Sequence, residues 1–252
     1  MNLDKNLELL RYDERAHQLL ADGKVVKNQN GSQSILECTR APYLFYEKAH
    51  VDLISKASNV LEIGSGTGLH TYSLLNRKAK VYAFDISINS VKYLKNRYKN
   101  NINLFSQVAD MESLPFNDES FDVVCSAGCL SYGDNTIVRD EIYRVLKKKG
   151  TLIIVDSLNH NPIYKINRWL HFINGERSLD TLKRMPTISL IQSYHNKFGS
   201  IEVRYFGSIS WLSPLIRRIV GEVAASNFSN FIDRIIKVEK SAFKFLMIAV
   251  KE

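Results

Sequence analysis

The sequence predicts an α/β chain organised on a mostly parallel sheet, and three observations carry that expectation. An apolar run (Val60, Leu61, Ile63) ends in glycines at every second position, Gly64, Gly66 and Gly68. A second apolar run, residues 80–84, ends on a lone acid, Asp85. Strand, glycine-rich turn, helix, strand and acid, in that order, make the front half of a nucleotide-binding unit. Strand-like runs then alternate with helical stretches through residues 58–157, enough for five strands.

Taken in order, residues 1–57 read as helical around a loop near 23–34, because Leu7, Leu10, Ala16, Leu19 and Leu20 roughly follow helical spacing. The glycines after residue 63 let the backbone turn tightly and let a ligand lie directly on it. The helix N-terminus behind them offers free N–H groups. Ser87 to Ser90 can cap a helix over 91–98. Residues 120–124 and 150–155 read as the fourth and fifth strands. Over 40 residues then separate the fifth strand from the next strand candidate, 200–206, and a connection that long in a compact domain usually has a task. Residues 211–240 read as two amphipathic helices, with Phe228, Phe231, Ile232, Ile235 and Ile236 on one face, and residues 243–250 as the last strand.

Spacing points to the nucleotide. Dinucleotide folds want G-x-G-x-x-G, but position 69 is Leu and the third glycine falls one residue early, with Glu62 just before the first. This E-x-G-x-G-x-G resembles motif I of the class I S-adenosylmethionine (SAM) methyltransferases. Val108-Ala-Asp110-Met111, Leu114-Pro115-Phe116, Ser120-Phe-Asp-Val-Val124 and the unit over 144–155 resemble that family's later motifs, so the likeness spans residues 58–157. It implies a Rossmann-like seven-stranded sheet of order 3-2-1-4-5-7-6, helices on both faces, and an antiparallel strand 7 beside strand 6. It also implies an N-terminal helical lid (1–57) ahead of a SAM-binding domain (58–252), in which 158–199 form a substrate-side insert. Under the resemblance, Gly64, Ser65, Gly66 and Gly68 cradle the methionine part of SAM and Glu62 supports its ammonium. Asp85 and Ile86 take the ribose, while Ala109, Asp110 and Met111 take the adenine; Ser126 completes the cofactor set, and the product is S-adenosylhomocysteine.

The chain has 252 residues, 45% hydrophobic content and a formal charge of +8, enough for one core and an extra lobe. That charge suits nucleic acid, an acidic membrane surface, an anionic substrate or merely a basic surface; no RNA-binding module is legible, so no nucleic-acid partner is expected. Three sparse cysteines fit neither zinc nor a disulfide framework, which suits a reducing cytosol. The charged N-terminus is no signal peptide, and no apolar run nears a membrane span, so a cytoplasmic protein is expected.

In open parallel sheets ligands bind outside the carboxyl ends of the strands. Acceptor-side candidates there are Ser126, Tyr132, Asp134, Asp156, Asn159 and His160. His160 is the expected general base, since methyl transfer to a hydroxyl needs the acceptor aligned and its proton removed; the alternative is that it caps a turn with Asn161-Pro162. His17, with Tyr12 and Arg15 on the lid, is the second candidate. Asp156 is a third, but no three-ligand set is legible and no metal is expected. Arg168, Arg177 and Arg184 give the insert a basic face suited to phosphate or carboxylate oxygens. That insert resembles a bacterial methyltransferase subgroup of surface-polysaccharide biosynthesis, which implies a sugar or sugar-phosphate hydroxyl as acceptor. The alternatives are a quinone-type or lipid acceptor, and a SAM-binding protein without catalysis.

Overall fold

A computed structural model describes residues 3–22, 31–35, 37–175, 178–209, 213–235 and 239–252. Two helices, α1 (Leu3–Ala21) and α2 (Glu37–Leu53), precede the sheet. Then follow β1 (Asn59–Ile63), α3 (Thr71–Leu75), β2 (Lys80–Asp85), α4 (Ile88–Arg97), β3 (Leu104–Val108), β4 (Phe121–Ala127), α5 (Asn135–Val145) and β5 (Leu146–Ser157). The insert folds as α6 (Pro162–Ile173), α7 (Leu179–Lys183) and α8 (Ile188–Phe198). After β6 (Gly199–Phe206) come α9 (Ser213–Val220), α10 (Glu222–Ile235) and β7 (Lys244–Lys251).

The strands form one sheet of order β3-β2-β1-β4-β5-β7-β6. The first five pair in parallel, and β7 runs antiparallel to both β5 and β6. Central strands buried on both faces read as near-continuous apolar runs, and β4 and β5 do so (Val123, Val124, Cys125; Leu152 to Val155, all buried). One core holds Ile63, Val124, Ile142, Ile154, Tyr194 and Phe198, under α5 and α8; the other holds Tyr46, Val60, Leu74, Leu94 and Val155, under α2, α3 and α4.

The register sets the site. Ile63 lies opposite Phe84 in β2 and Ser126 in β4, so the glycine turn, Asp85 and the loop after β4 share one edge. Helix α4 starts three residues before the expected 91, because Ser87 is its N-cap and accepts from the backbone N–H of Ser90. At the start of α6 the cap is Asn161, whose side chain accepts from Ile163 N–H, with Pro162 in the first turn; the turn role considered for His160 falls to its neighbour. Ile236 lies outside the described residues.

Candidate active site

The floor of the site is the glycine turn. Gly64 has φ +65°, and a Cβ there would meet the Cys129 Cβ at 2.7 Å, so both backbone conformation and close approach require glycine. Gly66 N–H donates to Asp85 Oδ2 and Ser87 N–H to Asp85 Oδ1, each at 2.9 Å. One carboxylate thus ties the turn after β1 to the start of α4. Burial raises the Asp85 carboxyl above its ordinary value, against the backbone donors of Ser87 and Gly66.

Above this floor lies a cavity of about 280 Å³. Ala109, Asp110 and Met111 after β3, Gly64, Gly66, Asp85 and Ile86 after β1 and β2, and Gly128, Cys129 and Tyr132 after β4 line it, following the strand order. A Cβ at Gly66 or Gly128 would meet nothing within 4 Å, so both backbone segments open onto free space. A nucleoside-sized group needs such bare backbone beside an acceptor for its ribose hydroxyls. The residues present fit SAM on that ground.

The roof is α1, which presents Lys5, Glu8, Leu9 and Tyr12 to the cavity. Lys5 Nζ lies 2.6 Å from Asp110 Oδ2 and 2.7 Å from Glu112 Oε2. Asp13 accepts from Ser87 Oγ, Asn89 N and Asn89 Nδ2 at 2.7–2.9 Å. Burial works to raise the Asp13 carboxyl, but hydrogen bonds from Ser87 and Asn89 outweigh it and leave the group below its ordinary value. Glu8 accepts from Ser178 N, Thr181 Oγ1 and Arg11 Nη1, which joins α1 to α7. The hydroxyls of Tyr12 and Tyr132 are hydrogen-bonded, their rings edge to face at 5.3 Å.

Other expected site residues stand back from the cavity. Glu62 is buried behind the turn, where its Oε2 accepts from Thr71 Oγ1; burial pushes its carboxyl up to about 8. Ser65 Oγ donates to Phe84 O, and Ser126 Oγ pairs with Cys129 Sγ. Gly68, at φ +79°, sits against Leu94 and Tyr98. Asp156 is buried and accepts from Leu130 N and Ser157 N, so it braces the turn that carries Tyr132.

Neither His160, which is half-buried, nor His17, which is exposed on α1, lines the cavity. Arg15 is exposed. Arg168 is buried and donates to Leu158 O and Asn159 Oδ1, and Arg184 lies 3.8 Å from Asp180. The basic face expected of the insert is therefore turned inward at Arg168, while Arg184 stays partly exposed. Arg177 lies outside the described residues. Among the described residues no group of three metal-ligating side chains occurs.

Sequence reasoning missed Lys5, Glu8 and Leu9, and also Gly128 and Cys129. The first three, with Tyr12, recur at 5, 8, 9 and 12, the spacing of one helix face, and that signal was available. The last two follow β4 without any polar pattern to mark them.

Comparison with known proteins agrees with the fold. Residues 61–154 match the family model described as "Methyltransferase domain". A demethylmenaquinone methyltransferase of Thermotoga maritima is 33% identical over 144 residues, covering 52% of this chain and 61% of that one. A malonyl-[acyl-carrier protein] O-methyltransferase of Hahella chejuensis is 30% identical over 125 residues, covering 48% of this chain and 44% of its own length. The chain spans about half the length of the curated relatives it matches. Among solved structures, a geranyl diphosphate methyltransferase in complex with GPP and sinefungin aligns with a TM-score of 0.60 at 15% identity, covering 84% of this chain and 79% of that one.

Proposed function

We propose that this chain, which carries a methyltransferase domain of the class I SAM-dependent type, moves a methyl group from SAM to a small acceptor with one nucleophilic oxygen or carbon on a largely apolar body. The composition of the cavity wall carries this reading. Outside the positions assigned to SAM, Leu9, Ala127, Cys129 and the rings of Tyr12 and Tyr132 supply apolar surface, while Lys5 and Glu8 already hold partners in the protein. A sugar phosphate, the acceptor expected from the insert, would need free donors and cations along that wall. Arg168 and Arg184 point their bonds elsewhere. An apolar acceptor is compatible with the Thermotoga maritima relative, which acts on demethylmenaquinone by its name.

When bound, SAM supplies an electrophilic methyl group on a sulfonium. The chain's residues supply position. Gly64 and Gly66 offer bare backbone, Asp85 accepts from the ribose hydroxyls, and Asp110 with Met111 faces the adenine. Tyr12 and Tyr132, on the wall beyond Gly128, orient the acceptor: a Tyr132 hydroxyl turned from its partner can hydrogen-bond the attacking atom or the proton it sheds. In-line displacement on a good leaving group is mainly a matter of alignment, so no histidine is required at the cavity wall. Helix α1 excludes water from above.

The test is incubation of the full chain with methyl-labelled SAM and two acceptor sets, isoprenoid quinols or phenols and sugar phosphates. Label in the first set, with one S-adenosylhomocysteine per methyl, is expected. Label confined to the sugars would overturn the acceptor class. SAM bound but no label in either set would favour SAM binding without catalysis.

A further inference from the structure

A surface helix normally buries its apolar stripe and shows its polar face. Two helices here do the reverse. On α6 the buried side chains are Tyr164 and Arg168, while Ile163, Ile166, Trp169, Leu170 and Ile173 are exposed, Ile166 at 61% and Trp169 at 56%. At ~100° per residue those five fall within an arc of about 120°. On α10 the buried positions are Ala225, Ser226 and Ser229, and Phe228, Phe231 and Ile235 face out. The two helices meet at one turn: Tyr164 of α6 donates to Gly207 O, and Asp233 of α10 accepts from the N–H groups of Gly207 and Ser208.

We propose that the outward face of α6, with α10 beside it, docks on the surface of a lipid bilayer containing anionic lipid. Charge selects this occupant. Residues 157–177 carry Lys165, Arg168 and Arg177 against Glu176, residues 203–235 carry Arg204, Arg217, Arg218 and Arg234 against Glu222 and Asp233, Lys165 flanks the α6 arc, and the whole chain carries +8. A cationic amphipathic helix with an interfacial Trp lies in the headgroup plane, held by apolar burial and by attraction to anionic lipid. A second copy on the same face would set like charges together. No described helix is long and apolar enough to cross a membrane, so the contact is peripheral. The far end of α6 leads to the lid: Arg11 of α1 donates to Gly175 O, and Leu7 and Leu10 of α1 are exposed nearby in sequence. The docked face therefore borders the roof of the cavity, and an amphiphilic acceptor could pass from bilayer to cleft. That delivery rests on the proposed methyl transfer; the docking does not.

The experiment is co-sedimentation of the full chain with vesicles of phosphatidylcholine alone and of phosphatidylcholine mixed with phosphatidylglycerol, using the parent and an Ile166→Glu/Trp169→Glu variant. SAM titration of both proteins checks that the site is intact. The parent should sediment with the mixed vesicles, and the variant's vesicle affinity should fall roughly tenfold or more at unchanged SAM affinity. No sedimentation with either vesicle, or equal sedimentation of parent and variant, overturns the docking. So does a parent that is dimeric, binds no vesicle and becomes monomeric in the variant, since a second copy then covers the face. If vesicle binding behaves as expected but neither protein binds SAM, the docking stands and the methyl-transfer reading falls.

Discussion

Gly64, Gly66 and Asp85 divide the labour of the site between backbone and charge, and each makes a separable prediction. Both glycines sit at positive φ, so either substitution strains the backbone; a Cβ at Gly64 would also be 2.7 Å from Cys129 Cβ, whereas one at Gly66 would enter open cavity. Gly64→Ala should therefore lower thermal stability. Gly66→Ala should leave the melting temperature closer to that of the parent and act on SAM affinity, which thermal melts with and without SAM will separate. Asp85→Ala removes charge-assisted bonds to the ribose, each worth about 1.5–3 kcal/mol. SAM affinity should drop by roughly 10–100-fold, and an unchanged dissociation constant would show that the ribose lies elsewhere. Glu62 tests burial instead. Its carboxyl is raised from 4.5 to about 8, chiefly by burial, with the Thr71 hydroxyl opposing. A group raised in the folded state favours folding least once pH has climbed through that raised value. Glu62→Gln keeps an acceptor for Thr71 and should gain stability relative to the parent as pH rises from 4.5 to about 8; a pH-independent difference would contradict the assignment. Tyr132→Phe should lower turnover at unchanged SAM affinity, by about tenfold for one lost oriented hydrogen bond.

Helix α1 is the element that roofs the strand-edge groove. Lys5 on Asp110 and Glu112, and Asp13 on the start of α4, latch its first turn and its middle. Lys5→Met should raise hydrogen exchange along residues 3–21 and leave the sheet protected; equal exchange in parent and variant would mean that apolar packing alone holds the helix. Asp13 adds a pH dependence. Its carboxyl sits below its ordinary value of 3.8, so the stability it lends is present above that value and is lost as pH falls through the lowered one. The helices of residues 1–57 were legible from helical spacing. The cavity face of α1 was not, because Lys5 and Glu8 look like any solvated charges until the fold sets them over Asp110 and Ser178. The insert misled in the opposite way. Its arginines read as a substrate grip, yet Arg168 satisfies the Leu158 carbonyl inside the domain, and no local pattern distinguishes a buried guanidinium from an exposed one.

At the scale of the whole molecule, the sheet order was legible through the family resemblance that the glycine turn, Asp85 and the later motifs carry, and the late helix before a terminal strand resembles that family's antiparallel edge. The apolar face of α10 was visible as an amphipathic stripe, but a stripe alone does not say which way it points. The molecule should respond to SAM as one unit if SAM fills the cavity, since residues of β2, the loops after β1, β3 and β4, and α1 line it. At about a hundred times its dissociation constant SAM should add about 2.7 kcal/mol, raising the melting temperature by about 5–10 °C in a domain of this size. The most direct test of the central claim is a calorimetric titration of the full chain with SAM and, separately, with NAD. Saturable binding of one SAM per chain and no heat from NAD is the expected result; NAD binding with no SAM binding would contradict it.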